Sequence, residues 1–208
     1  MANNRSIHNI IFDLGGVFLN LDFSLTISAL QKLIGIEIYA RHHQFEFIDQ
    51  FEMGLLSAAE FRSEIRMLAS ASGVKQALSD QEIDLAWNAM LKDLPLRRIE
   101  WLKGISSKKR VFLLSNTNEI HKLAFDQIAA KTMGSIKAFD EIFEGAYYSH
   151  LIGLRKPNPD IYKYIVDRHG LDAHHTLFID DTHSNLIGAE AAGLMVKHLT
   201  EDVTSLVF

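Results

Sequence analysis

Residues 7–17 read IHNIIFDLGGV, a short apolar and β-branched run that ends in an acid and a pair of glycines. Continuous rather than alternating apolarity is typical of a strand that is buried on both faces of a sheet. Two further runs show the same pattern, RVFLLSN at 110–116 and TLFIDD at 176–181, and each becomes polar at its C-terminal end. A last short run, MVKHL at 195–199, is a candidate fourth strand.

Amphipathic patterns separate these runs, at 119–131, 160–169 and 184–192. Strands that alternate with helices predict an α/β fold, with a doubly wound parallel sheet and helices on both faces. In such sheets, ligands bind outside the carboxyl ends of the strands. Those ends carry Asp13, Ser115, Asp180 and Asp181. The sequence therefore predicts a functional site where these polar side chains meet.

The stretch from 22 to 94 has a different character, with helical patterns and no convincing strand. Ser57 is followed three residues later by Glu60, and Ser79 by Glu82, and both pairs fit a capping box at the start of a helix. We therefore expect an all-helical cap domain at 22–94, inserted into a core domain formed by 1–21 and 95–208.

Composition excludes several classes of function. The 208-residue chain has a formal net charge of −5 and a pI near 6.0, which disfavours a broad nucleic-acid-binding surface. It has no cysteine, so disulfides, thiolate nucleophiles and Cys-based zinc sites are excluded. No apolar run approaches the roughly 18 residues of a membrane span, and no signal-peptide core is present. We expect a soluble cytoplasmic protein, and the sequence leaves its oligomeric state open.

Four sequence features point jointly to phosphoryl chemistry: Asp13, Ser115, Lys156 in LRKPNPD, and the pair Asp180-Asp181. Taken singly, each is as well explained by a helix cap or a solvated loop. Taken together, converging carboxylates need a cation, and hard oxygen ligands suit Mg²⁺. A serine hydroxyl, main-chain N–H groups and a lysine can hold a phosphoryl group. Asp13 could then attack the phosphorus and form an aspartyl-phosphate intermediate.

The chain resembles the haloacid dehalogenase-like hydrolase superfamily, in the branch whose helical cap follows the first strand of a Rossmann-like core. The resemblance rests on IIFDLGGV at 10–17, LLSNT at 113–117, RKPNPD at 155–160 and FIDDTHSNLIGA at 178–189. The Asp-Leu-Gly-Gly form of the first motif is similar to that of bacterial α-D-glucose-1-phosphate phosphatases. The resemblance implies Mg²⁺-dependent hydrolysis of a small phosphomonoester, such as the sugar phosphate glucose 1-phosphate.

The resemblance also implies roles for individual residues. Asp13 would be the nucleophile and a Mg²⁺ ligand, and Gly15 would lend its main-chain carbonyl to the metal. Asp181 would complete the protein ligands, with Asp180 beside it. The phosphate would be bound by Ser115, Asn116 and Lys156.

One position departs from the family pattern. Most phosphatases of this family carry a second Asp two residues after the nucleophile, where this chain has Gly15. That acid protonates the leaving alcohol and later activates water. Three readings follow: the substrate has a leaving group that needs little protonation, another acid such as Asp22 or a cap residue replaces it, or activity is weak.

Two alternative functions stay open on the sequence alone. Dehalogenases of the superfamily also lack the second Asp, but they need no metal, so the pair Asp180-Asp181 would be an uncompensated charge near the nucleophile. A phosphate-binding protein that has lost turnover is the other alternative. Chloride release in the presence of a chelator, or binding without product release, would distinguish them.

Overall fold

The computed structural model describes residues 6–40 and 43–208. Its strands are β1 (Asn9–Phe12), β2 (Tyr39–Ala40), β3 (His43–Gln44), β4 (Arg110–Ser115), β5 (Gly145–Tyr148), β6 (Thr176–Asp180) and β7 (Met195–His198). Five of them form one sheet in the order β5-β4-β1-β6-β7, and all its neighbouring strands are parallel. The first strand is therefore central, and the chain winds outward from it on both sides.

The α-helices of the described residues are α1 (Phe23–Ile34), α2 (Glu46–Glu52), α3 (Ala58–Ala71), α4 (Asp80–Asn88), α5 (Leu96–Ser106), α6 (Glu119–Met133), α7 (Ser149–Ile152), α8 (Pro159–His169) and α9 (His183–Ala191). Short 3₁₀ turns occur at Asp140–Ile142, Ala173–His175 and Val203–Ser205. No helix of the described residues is long and apolar enough to cross a membrane. Helices alternate with the parallel strands, as the sequence predicts for a doubly wound α/β fold.

The predicted helix starts at Ser57 and Ser79 are confirmed. Each serine side chain accepts a hydrogen bond from the main chain three residues on, at Glu60 and Glu82 respectively. Each glutamate in turn accepts a hydrogen bond from the main-chain N–H of its serine, at 2.8 Å in both cases. Both capping boxes therefore satisfy N–H groups that a helix start would otherwise leave unpaired.

The sheet is buried on both faces, which explains its continuously apolar strands. Ile10 and Phe12 of β1 pack into one core, and Ile11 packs into another on the opposite face. A third core is formed largely by helices α1 to α4, includes Phe61 and Trp87, and also contains Ile120 of α6. The helical region thus buries its own apolar side chains, and the cap domain boundaries at 22 and 94 stay a prediction.

The chain enters and leaves the helical region along two adjacent segments. Leu21 and Leu91 form an antiparallel bridge. The main-chain N–H of Asn20 donates to the carbonyl of Asp93 at 3.0 Å, and that of Asp22 to the carbonyl of Met90 at 2.9 Å. Both connections therefore cross from the core at one place.

Two strand assignments differ from the sequence expectation. The helical region contains the small antiparallel hairpin β2–β3, so the expectation of no strand there is wrong. Strand β5 was not predicted, because its sequence GAYY is short and has no continuous apolar run. It occupies the edge of the sheet beside β4, where one side of the strand lacks a partner strand.

Candidate active site

Polar side chains from three adjacent strands meet at one edge of the sheet. Asp13 directly follows β1, Ser115 ends β4 and Asp180 ends β6. Phe12 of β1 is in register with Leu113 on one side and Ile179 on the other, so the three strands end at nearly the same level. Asp13, Ser115 and Asp180 are all buried. The structure thus places these predicted residues together.

Lys156 joins this group from the loop before α8. Its ammonium Nζ donates to Asp13 Oδ1 at 2.6 Å and to Asp180 Oδ2 at 2.7 Å. The side chain is only 1% exposed, so the charge has little access to water. A buried ammonium is stable when it is paired, and here it has two carboxylate partners.

Burial and neighbouring charges shift the pKa values in this site. Desolvation raises the pKa of Asp13 to about 7, the Lys156 ammonium opposes this rise, and the charges of Asp180 and Asp181 add to it. Burial by itself would lower the pKa of Lys156, but Asp13 and Asp180 outweigh it and hold that pKa above its ordinary value. The carboxylates therefore crowd one another even with the lysine present.

Three carboxylates in this site could share one small cation. Asp13, Asp180 and Asp181 each offer an oxygen atom, and these atoms lie within 4.8 Å of one another. The main chain also comes close, because a β-carbon on Gly16 would lie 2.5 Å from Asp181 Oδ2, and Gly16 has a φ of +73°. Crowded hard oxygen donors fit Mg²⁺, and a bound cation would offset the charges of Asp180 and Asp181 that help to raise the pKa of Asp13.

Asp180 already has several hydrogen-bond donors. Its Oδ1 accepts from the main-chain N–H of Thr182 at 2.7 Å, and its Oδ2 accepts from Asn185 Nδ2 at 2.9 Å as well as from Lys156. These contacts fix the carboxylate and, through it, the ammonium of Lys156. Asp180 therefore acts in the structure as the residue that orients the lysine, and its predicted contact with a metal stays a prediction.

Asn116 contacts the lysine loop. Its side-chain Oδ1 accepts from the main-chain N–H of Lys156 at 2.8 Å, and its Nδ2 donates to the main-chain carbonyl of Lys156 at 2.9 Å. The side-chain amide thus holds the lysine backbone from both sides. This clamp between Asn116 and Lys156 was not predictable from the local sequence, and the predicted contact of Asn116 with phosphate stays a prediction.

The site opens into a cavity of about 580 Å³. The sheet edge contributes the residues described above, and the helical region contributes Phe23, Asp49, Glu52, Trp87 and Met90. This volume lies within the range of about 300–1,000 Å³ that is usual for small-molecule sites. Trp87 and Met90 are both buried within the helical region, and both also line this cavity.

An ion-pair cluster missed by the sequence analysis lines the same cavity. Arg155 lies 3.0 Å from Asp49 through Nη1 and 2.8 Å from Glu52 through Nη2. The partners are more than 100 residues apart in the chain, so no local pattern could reveal them. Asp22, the suggested substitute for the missing acid, instead caps α1 by accepting from Ser24 and is not among the residues that line the cavity.

The chain is similar to known proteins over nearly its whole length. The sequence profile described as haloacid dehalogenase-like hydrolase matches residues 7–193. A protein of Bacteroides thetaiotaomicron named D-ribitol-5-phosphate phosphatase is 30% identical over 188 residues, which are 88% of each chain.

Solved structures show the same similarity in three dimensions. A crystal structure from Bacteroides thetaiotaomicron, described as a HAD family enzyme in complex with magnesium and inorganic phosphate, is 32% identical, with a TM-score of 0.84 over 95% of this chain and 96% of that one. That structure carries an aspartate-to-alanine substitution. A predicted HAD-like family hydrolase from Porphyromonas gingivalis is 28% identical, with a TM-score of 0.77 over 92% and 90% of the two chains.

Proposed function

The chain belongs to the haloacid dehalogenase-like hydrolase family, and we propose that within it the protein is a Mg²⁺-dependent phosphatase that acts on a small phosphomonoester. The observation that carries this proposal is the position of the Lys156 ammonium between Asp13 and Asp180, beside a third carboxylate. The relatives described as a phosphatase and as a complex with magnesium and phosphate support the same chemistry.

Each residue of the site has its own role in the proposed reaction. The Asp13 carboxylate attacks phosphorus, the ester P–O bond breaks, and the leaving oxygen takes its proton from water, because Gly15 has no side chain to supply one. Water then cleaves the aspartyl-phosphate, which frees Asp13 and releases inorganic phosphate. Ser115 and Lys156 bind the phosphoryl oxygens, while Asp180 and Asn116 orient Lys156 through its side chain and its main chain.

The metal would be held by Asp13, Asp181 and the main-chain carbonyl of Gly15, with Asp180 adjacent. When bound, Mg²⁺ supplies positive charge that offsets the carboxylates and the approaching phosphate. Residues 22–94 would form a cap over the strand ends and exclude water from the reaction.

A small phosphorylated polyol or sugar is the proposed substrate class. Sequence motifs alone favoured glucose 1-phosphate, whereas the named relative acts on D-ribitol 5-phosphate. A cavity of about 580 Å³ accommodates either molecule. A metal-free dehalogenase is less well supported, since three clustered carboxylates would then face one ammonium with no further cation.

Phosphate release from a panel of phosphomonoesters, with Mg²⁺ and with a chelator, tests the proposal. We expect release that requires Mg²⁺ and that falls about 10³-fold or more in Asp13→Asn, because an amide is no nucleophile. Circular dichroism of the variant provides the control for folding. Phosphate release that persists in Asp13→Asn would contradict the proposal. Chloride release from a haloacid in the presence of a chelator would also contradict it.

A further inference from the structure

The residues of the phosphoryl chemistry form only part of the cavity wall. Asp13, Ser115 and Lys156 lie at the sheet edge, and other lining residues come from the helical region. In a phosphomonoester bound at Asp13, the alcohol portion extends away from the sheet edge into the rest of the cavity. The side chains there therefore contact the part of the substrate that differs from one phosphomonoester to another.

A charged cluster, here called the Arg155 triad, lines the same cavity and consists of Arg155, beside Lys156 in the chain, and of Asp49 and Glu52 on α2. In addition to the two contacts above, Arg155 Nε donates to Glu52 Oε2 at 3.1 Å. The three side chains are 24%, 37% and 14% exposed respectively, so they are partly screened from bulk water. All three line the cavity that contains Asp13.

The helix that carries the two acids is held firmly against the core. Gly54, just after α2, lies so close to α7 that a β-carbon on it would come within 2.1 Å of the carbonyl oxygen of His150. Together with the bonds from Arg155, this contact fixes α2 at its C-terminal end. A site on a fixed element loses little entropy when it binds, which is a requirement for selective recognition.

We propose that the Arg155 triad binds the hydroxyl groups of the leaving alcohol and makes the enzyme selective for polyhydroxylated phosphomonoesters. This rests on the proposed phosphatase function and adds the part of the substrate that is recognised. A carboxylate accepts several hydrogen bonds and a guanidinium donates up to five. Adjacent acceptors and donors match neighbouring hydroxyl groups, each of which can donate and accept. Trp87 and Met90 line the same cavity and supply apolar surface for the carbon chain.

An alcohol without hydroxyl groups fits this wall poorly. It would displace water from the charged side chains without replacing the lost hydrogen bonds, and such loss is costly. The discrimination should appear in kcat/KM rather than in the affinity for inorganic phosphate, because inorganic phosphate has no alcohol portion for the triad to bind.

D-Ribitol 5-phosphate and ethyl phosphate provide the test, since both are primary alkyl esters and only the first carries further hydroxyl groups. We expect wild-type kcat/KM to favour the ribitol ester by about 100-fold or more. Glu52→Gln and Asp49→Asn should each reduce that preference roughly 10-fold, the effect of losing a hydrogen bond to a charged group. Inhibition by inorganic phosphate should stay within about twofold of wild type.

Glu46→Gln is the matched control. Glu46 lies on the same helix, is exposed and does not line the cavity, so its substitution should leave the preference unchanged. The triad does not recognise the alcohol if Glu52→Gln and Asp49→Asn leave the preference for the ribitol ester intact. The same conclusion follows if these variants lower kcat/KM for both esters and weaken phosphate inhibition together. Hydrolysis of both esters with no wild-type preference overturns the triad proposal alone. Phosphate release from neither of these esters nor any ester of the wider panel, at any Mg²⁺ concentration, overturns the phosphatase function as well.

Discussion

Leu21 occupies the space beside Gly15 that a side chain at position 15 would need. A β-carbon on Gly15 would lie 2.6 Å from Leu21 Cδ1 and 4.0 Å from Asp13 Oδ2. Gly15 does not have a positive φ, so its backbone could accept a side chain if Leu21 moved. Most phosphatases of the family carry an acid two residues after the nucleophile. In this chain, Leu21 fills the space of that side chain, and it comes from the segment that leads into the helical region.

The first prediction concerns the leaving group. Because residue 15 cannot protonate the departing oxygen, kcat/KM should fall steeply as the leaving-group pKa rises across a series of substituted phenyl phosphates. The double variant Gly15→Asp/Leu21→Ala supplies an acid and the space for it, so its dependence should be shallower than that of wild type. A flat dependence in the wild-type enzyme would show that another group donates the proton.

The second prediction concerns the buried lysine. Lys156→Met leaves the carboxylates of Asp13 and Asp180 without their shared ammonium, so the metal-free protein should lose about 3–5 kcal/mol of unfolding free energy. Adding Asp180→Asn should recover part of that loss, because one buried charge is then removed. Urea denaturation measures both effects.

Lys163→Met is the control for this prediction. Lys163 forms an exposed pair with Asp160, so its substitution should change the free energy of unfolding by less than about 0.5 kcal/mol. If Lys156→Met and Lys163→Met lost equal amounts of unfolding free energy, burial of the Lys156 ion pairs would not explain the effect.

The third prediction concerns a glycine behind the catalytic loop. A β-carbon on Gly188 of α9 would lie 1.9 Å from the carbonyl oxygen of Pro157, next to Lys156. Gly188→Ala should therefore displace this loop and lower both kcat and the melting temperature. Gly104→Ala in α5 is the control, since nothing lies within 4 Å of a β-carbon there, and it should stabilise by about 0.5–1 kcal/mol. An unchanged kcat in Gly188→Ala would show that the loop tolerates the shift.

The fourth prediction is a dependence of stability on pH that arises from His121. Burial lowers the pKa of His121 to about 4, and its Nε2 lies 3.1 Å from the main-chain carbonyl of Trp87. The unfolded chain takes up that proton near pH 6.5, but the folded protein does so only near pH 4. The contribution to stability is therefore complete above about pH 6.5 and decreases as the pH falls toward 4. Denaturation of wild type and His121→Gln at about pH 6.5 and pH 4 measures the effect. The free energy of unfolding should decrease less in the variant than in wild type as the pH falls, and equal decreases would contradict the prediction.

The central strands were predictable because burial on both faces leaves a continuous apolar run, as in IIF at 10–12. The edge strand β5 was not, since GAYY is short and forms a strand through its pairing with β4. The capping boxes at Ser57 and Ser79 were also readable, because both partners lie within four residues of each other.

The residues of the site differ in the same way: some could be located from the local sequence, and others are placed by contacts with distant parts of the chain. Asp13, Ser115 and Asp180 could be located because strand ends determine their positions. Asn116 clamps Lys156 from 40 residues away, and Arg155 contacts Glu52 from 103 residues away. Such contacts depend on how loops and helices that are distant in the chain come together, and no local sequence pattern encodes that arrangement.

The paired connections at Leu21 and Leu91 have a consequence for how such a chain can change in evolution. Because Asn20 and Asp93 are hydrogen-bonded neighbours, residues 22–90 form a loop whose two ends are already joined at the core. A different module could replace that loop without altering the order or spacing of any strand in the main sheet. The architecture thus lets the reacting residues descend unchanged while the helical part of the cavity lining, with Asp49 and Glu52, is exchanged as a unit.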